Sequence, residues 1–173
     1  IEFIKNKEEI PFAVFKPTCL GSTELFIKKS LGKKFSENEE LMWSRVINRF
    51  EKVCKKAYEN NIKILIDAEE VDVQKAIDDL AILMMRKFNL ANPIVFNTVQ
   101  MYRKDRLQYL NELINNKRND KVIFGLKLVR GAYMEKERQF ANERGIESPI
   151  CETKKDTDNN FDLGLDFVFN NLD

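Results

Sequence analysis

The sequence predicts an α/β fold of about four parallel strands with helices between them. Three observations carry that expectation. Short apolar runs alternate with longer amphipathic stretches over 173 residues. The amphipathic stretches repeat near a period of 3.6, so each has one face to bury. Hydrophobic residues make up 43% of the chain and charged residues 33%, which is a globular composition and excludes disordered, collagen-like and disulfide-scaffold classes. A chain of this length forms one domain with a core of its own.

Phe12 to Thr18 reads as the first strand, followed by a short helix near Thr23 to Leu31. A longer helix opens at Ser36, with Glu39 three residues on as a capping box. Val46, Phe50, Cys54 and Ala57 give it a buried stripe, and Asn60-Asn61 stops it. Ile62 to Asp67 is the second strand. Val73, Ile77, Leu80, Ala81, Met84 and Phe88 then share one helical face. Ile94 to Gln100 is the third strand, followed by a helix carrying Leu107, Leu110 and Ile114 on one side. Val122 to Arg130 is the fourth strand. The charged stretch from Glu135 to Arg144 reads as a solvated helix ended by Gly145, and a last helix from about Thr157 spaces Phe161, Leu165, Val168 and Leu172 along its apolar side. No strand follows it. This pattern fits half of an eight-stranded barrel, whose usual size is about 250 residues, and equally an open doubly wound sheet.

Composition also narrows the chemistry. Lys and Arg number 29 against 28 Asp and Glu, a formal charge of +1, so the basic excess of a nucleic-acid binder is missing. No apolar run approaches the roughly 18 to 20 residues needed to cross a bilayer. The start, Ile1-Glu2-Phe3, is neither a signal peptide nor a native Met start. Cys19, Cys54 and Cys151 show no metal-type spacing and read as reduced cysteines of an intracellular protein. With no histidine in the chain, Ser-His and Cys-His nucleophiles and His-ligated zinc are excluded from any site that these residues complete alone.

Each predicted strand ends in a polar or charged residue. Alternation puts Val14, Lys16 and Thr18 on one face, then Lys63, Leu65 and Asp67, then Phe96, Thr98 and Gln100, then Gly125, Lys127 and Val129, with Arg130 following. A single polar residue at a strand end is ordinarily just solvated. Four in succession, of both charge signs, point instead to a shared polar mouth, because burying Lys16, Asp67 or Lys127 without a partner is expensive. Such a mouth suits an anionic or zwitterionic ligand, a phosphate-bearing cofactor among them.

The motif Lys127-Leu128-Val129-Arg130-Gly131-Ala132-Tyr133 resembles the proline dehydrogenase family of flavoenzymes. So do Ile66-Asp67-Ala68-Glu69-Glu70, Phe96-Asn97-Thr98-Val99-Gln100-Met101-Tyr102 and, more loosely, Phe15-Lys16-Pro17-Thr18. They occur in family order, one at each predicted strand end. The resemblance implies a partial (βα)8 TIM-type barrel holding FAD at its C-terminal face. It further implies oxidation of L-proline to Δ1-pyrroline-5-carboxylate, with hydride passing to the flavin and electrons on to a quinone.

By the same resemblance, Lys16 is the first-strand lysine beside the substrate, and Asp67 lines the active site and pairs with a cation. Gln100 hydrogen-bonds the flavin ring system. Lys127, Val129, Arg130, Gly131 and Ala132 are the flavin-contacting segment, with Lys127 where many members have Arg and Arg130 where many have Lys. Tyr133 lines the pocket, and Lys154 lies where the family approaches the flavin again. Lys16, Asp67, Lys127 and Tyr133 are thus the expected catalytic set. The family's later paired arginines, Thr-His pair and tyrosine have no counterpart here. Residues 1–173 are therefore expected to be the front half of the barrel, inactive alone and prone to self-association.

A hydroxyproline or other cyclic imino acid dehydrogenase, a non-catalytic barrel segment serving as an interaction surface, and a phosphosugar barrel enzyme are the competing expectations. The Lys-, Asn- and Ile-rich composition suggests an AT-rich bacterial source. That source favours a cytoplasmic protein peripheral to the inner membrane, with a mitochondrial location as the alternative.

Overall fold

The computed structural model describes residues 1–117 and 121–172. The chain divides into two compact units, Ile1–Thr98 with Val122–Lys127, and Val99–Lys121 with Leu128–Asp173.

The first unit contains the body of a sheet whose strands are β1 (Phe12–Phe15), β2 (Lys63–Ile66), β3 (Val95–Gln100) and β4 (Gly125–Val129), in the order β1-β2-β3-β4. The β1/β2 and β2/β3 pairs are parallel, with Phe12 opposite Lys63 and Ile64 opposite Val95. Parallel neighbours need crossovers, and α1 (Thr23–Ser30) with α2 (Glu37–Glu59), then α3 (Val71–Phe88), supply the first two. A doubly wound sheet reverses its strand order at a switch point. This sheet does not, and strands paired in chain order with helices between them are the front of a TIM-type βα barrel.

Local chemistry explains most of the boundaries. Ser36 caps α2 by accepting from the Glu39 N–H, while the Glu39 carboxylate accepts from the Ser36 N–H. Asn61, in the left-handed region at φ 52°, ends the turn beyond α2. The stripe Trp43, Val46, Phe50, Cys54 and Ala57 is buried, and so is its counterpart Val73, Ile77, Leu80, Ala81 and Met84 on α3. These faces meet Ile64, Ile66 and Val95 in one core, closed by edge-to-face ring pairs between Phe15 and Phe50 and between Phe26 and Trp43. Asn89 is fully buried; its side chain accepts from the Ile94 and Val95 N–H groups and donates to the Val95 and Ile123 carbonyls. One residue thereby sets where β3 starts and where the chain enters β4.

β1 is shorter than the sequence suggests. Pro17 has no N–H to extend the ladder, and it begins a 3-10 turn, Pro17–Leu20. Thr18 therefore leaves the strand and does not share a face with Val14. Lys16 keeps extended backbone as the cap of that turn.

The second unit contains the ends of β3 and β4 with α4 (Arg106–Lys117), α5 (Met134–Arg144) and α6 (Lys154–Phe169). The apolar side of α4 is rotated from expectation: Leu110 and Leu113 are buried, whereas Leu107 and Ile114 are only half-buried. α5 is largely solvated, as its charges require, but Glu137 and Ala141 are buried, and Gly145 ends it at φ 63°. α6 starts a turn earlier than Thr157, because Thr153 and Asp156 form a capping box. Its buried side is Thr157, Asn160 and Gly164. Phe161, Leu165 and Val168 are half-buried, and Leu172 lies exposed beyond the helix. Asn160 carries that packing by donating to the carbonyls of Met101 and Arg103.

Candidate active site

The polar residues at the strand ends of the first unit are held by the sheet's own continuation. The Asp67 N–H donates to the Phe15 carbonyl at 3.1 Å, and the Thr98 hydroxyl donates to the Ile66 carbonyl at 2.8 Å. From that position Asp67 accepts a 2.8 Å hydrogen bond from the Lys127 ammonium. The two side chains are 29% and 35% exposed, so the pair is wet on one side and open to a ligand. Lys16 follows the β1 residue whose carbonyl anchors Asp67, and it is exposed. The structure therefore unites Asp67 with Lys127 across sixty residues of chain.

Beside this pair lies a buried polar relay that periodicity does not reveal. Glu69, 5% exposed, accepts from both the N–H and the hydroxyl of Thr18, at 2.8 and 2.7 Å. Its own N–H donates to the Gln74 side chain, Gln74 donates to Asp78, and Asn97 donates to the same Asp78 oxygen. The available signal was the polar pair Gln74 and Asp78, four residues apart on an otherwise apolar helix face.

In the second unit Gln100 is buried with both ends of its amide engaged. It donates to the Tyr102 hydroxyl at 2.7 Å and accepts from Arg103 at 3.3 Å. Burial pushes the Tyr102 hydroxyl up to about 12, so it remains a neutral donor and acceptor. Arg103 forks onto Asp105, which Arg106 also contacts. Burial alone would raise Asp105, but the two guanidiniums outweigh it and hold the carboxyl at about 2. Neither Arg103 nor Arg106 was singled out by its position in the sequence.

Arg130 donates to Asp158 at 3.3 Å and lies over the Phe161 ring, with 4.9 Å to its centroid. Lys154 reaches the same carboxylate from one helical turn away and is the main reason its pKa is lowered. Arg130, Lys154 and Asp158 line a cavity of about 380 Å³ with Gly131, Met134 and Thr157, at the start of α6. Two exposed cations and an exposed glycine backbone are the donors here that fit a phosphate-bearing group. Gly131 and Ala132 are exposed, Val129 is half-buried with its carbonyl accepting from the Met101 N–H, and Tyr133 is half-buried at the start of α5. Among the described residues, no three His, Cys, Asp or Glu side chains are grouped to hold a metal ion, and no helix is long and apolar enough to cross a membrane.

Comparison with known proteins identifies the relatives of this arrangement. The family model described as proline dehydrogenase matches residues 4–173. The chain is 33% identical over 173 residues to the carbapenem antibiotics biosynthesis protein CarD of Pectobacterium carotovorum subsp. carotovorum, covering 100% of this chain and 45% of that protein. It is 40% identical over 139 residues to the mitochondrial proline dehydrogenase 1 of Homo sapiens, covering 80% and 23%. Hydroxyproline dehydrogenase of Xenopus laevis is 32% identical over 139 residues, covering 80% and 30%. The crystal structure of proline utilization A (PutA) from Bdellovibrio bacteriovorus superposes with a TM-score of 0.78 at 20% identity, covering 92% of this chain and 16% of that one. The chain thus spans less than half the length of these relatives.

Proposed function

The chain belongs to the proline dehydrogenase family, and from that premise we propose that the protein it forms oxidises L-proline to Δ1-pyrroline-5-carboxylate. FAD is the cofactor in this reading, and a quinone accepts the electrons. The supporting observation is the cavity lined by Arg130, Gly131 and Lys154, because its donors suit the phosphates of a dinucleotide and its segment resembles the family's flavin-contacting stretch.

When bound, FAD supplies the acceptor for the hydride leaving proline C5. The chain's own residues bind and orient. Arg130 and Lys154 hold the phosphate charge, and Asp158 keeps both cations in place before it arrives. Lys127 would supply positive charge to a bound flavin, and Asp67 fixes its direction through the 2.8 Å bond. Gln100, its amide locked by Tyr102 and Arg103, offers the ring one fixed orientation of donor and acceptor. In the first unit Lys16 would serve the substrate, and in the second Tyr133 with the backbone of Val129, Gly131 and Ala132 would serve the flavin. A secondary amine that has lost a proton to solvent needs no further base to lose hydride.

Oxidation of hydroxyproline is the second reading, favoured by the 32% identity to the Xenopus laevis enzyme of that name. The location that goes with either reading is the cytoplasmic face of a bacterial inner membrane, or a mitochondrion. The test is an anaerobic absorption spectrum of the full-length protein. A flavin band that bleaches with proline is expected. A protein that takes up no FAD on reconstitution, or a band that neither proline nor hydroxyproline bleaches, would overturn the reading. The isolated 173 residues are expected to reduce no dye with proline.

A further inference from the structure

We infer that Glu69 is a positioning residue for Lys16, acting through Thr18. The inference rests on the proposed proline oxidation for its kinetic consequence, and on the first unit's own geometry for its structural one. The backbone ladder between β1 and β2 continues as far as the Asp67 N–H bonded to the Phe15 carbonyl. There it stops, because Pro17 has no N–H to offer and the chain turns into the 3-10 segment. Two residues past Asp67, the Glu69 carboxylate takes over the pairing. One oxygen accepts the Thr18 N–H at 2.8 Å and the other accepts the Thr18 hydroxyl at 2.7 Å, across 51 residues of chain.

Such a clamp fixes both the height and the rotation of the segment that begins with Lys16. Packing alone does not require it. A carboxylate 5% exposed is costly to bury, and an apolar side chain would fill the same space more cheaply. The two Thr18 bonds offset that cost at the carboxylate, and the backbone of Glu69 is anchored separately. Its N–H is held by Gln74, and Gln74 is held through Asp78 to Asn97 on β3. The clamp is therefore referenced to β3, the third strand of the sheet, so Lys16 is positioned against the sheet and not against a mobile loop. Glu69 is placed behind the substrate pocket in this scheme and does not touch the reacting atoms.

The experiment uses the full-length, flavin-loaded protein. Glu69→Gln keeps the size but replaces two charge-assisted acceptors by one neutral acceptor and an NH2 that must turn to the Thr18 hydroxyl, weakening both bonds. It is expected to lower kcat/KM for proline by about tenfold or more and to speed hydrogen exchange of the amides at 18–20 by about tenfold. Thr18→Val removes only the hydroxyl bond and is expected to give a smaller loss, which Thr18→Ser restores. In a Lys16→Met background, Glu69→Gln is expected to cost less than about twofold further, because its target is already gone. Wild-type kinetics in Glu69→Gln, or its full effect repeated on top of Lys16→Met, would overturn the inference. If Glu69→Gln does not fold, the Thr18→Val and Thr18→Ser pair decides by the same criteria. If the wild-type protein oxidises no proline, the proposed function fails. The positioning role is then judged by exchange alone, with unchanged rates at 18–20 counting against it.

Discussion

Neutralising Asp67 and Lys127 singly and together isolates what their contact contributes. The ammonium and carboxylate are 2.8 Å apart. Two unit charges at that separation attract by about 6 kcal/mol at an effective dielectric near 20. Both side chains keep about a third of their surface in water, so desolvation and screening reduce the net coupling to about 1 kcal/mol. That corresponds to roughly a fivefold change in an equilibrium constant. The assay is urea unfolding of the full-length protein for wild type, Asp67→Asn, Lys127→Gln and the double variant. The coupling is expected to be near 1 kcal/mol at low salt and to shrink at about 1 M salt. The same four proteins, scored for flavin content and proline turnover, should show Lys127→Gln as the larger loss, with Asp67→Asn adding little to it. A coupling below about 0.3 kcal/mol at low salt is indistinguishable from additivity and would refute the claim that Asp67 holds Lys127 in place.

Other perturbations follow from the same geometry. Arg130→Ala is expected to lower flavin retention or turnover well beyond the exposed control Lys55→Ala, as read from the ratio of flavin to protein absorbance. Gly125→Ala puts a methyl 2.5 Å from the Val95 carbonyl oxygen, which cannot swing away as a side chain would, and should cost about 1–3 kcal/mol in urea unfolding. Of the thiols, Cys19 should label at once, while Cys54, buried and pushed up to about 12, should label only on unfolding. Asp105 is lowered from 3.8 to about 2, so the stability it contributes is fully present above the higher value and is lost as pH falls through the lower one. Wild type should therefore lose stability faster than Asp105→Asn between about pH 4 and pH 2, as followed by circular dichroism.

Much of the fold was legible because each helix carries its period openly. The buried stripe of α2 is apolar and that of α3 is apolar but for Gln74 and Asp78, and both pack as the spacing indicates. Legibility fails where polar atoms do the packing. On α6 the buried side is Thr157, Asn160 and Gly164, residues that hydrophobic counting skips, because Asn160 is there to satisfy the Met101 and Arg103 carbonyls and Gly164 to let Met101 approach. On α4 the rotation has the same origin. Arg106 is buried at the head of the helix among Arg103 and Asp105, and Leu110 and Leu113 follow it.

At the site the same contrast separates what strand alternation predicts from what it misses. Period-two counting puts Asp67 and Lys127 among the polar strand ends of one mouth, the family resemblance gives Asp67 a cationic partner, and the fold shows that partner to be Lys127. Thr18 could not be placed by such counting, because alternation assumes a continuous strand and Pro17 breaks it. That break withdraws the backbone support from the residues beside Lys16. The 3-10 turn holds the Lys16 carbonyl through the Cys19 N–H, but tying that turn to the neighbouring strand falls to side chains, which need a buried acceptor with two lone-pair directions. Glu69, in the motif Asp67-Ala68-Glu69-Glu70, is such an acceptor: its carboxylate takes both Thr18 donors, and its backbone N–H is anchored to Gln74 near the start of α3. A proline that ends a strand and a carboxylate two residues past the neighbouring strand's own polar end are thus one device, written in two distant parts of the sequence and joined only by the fold.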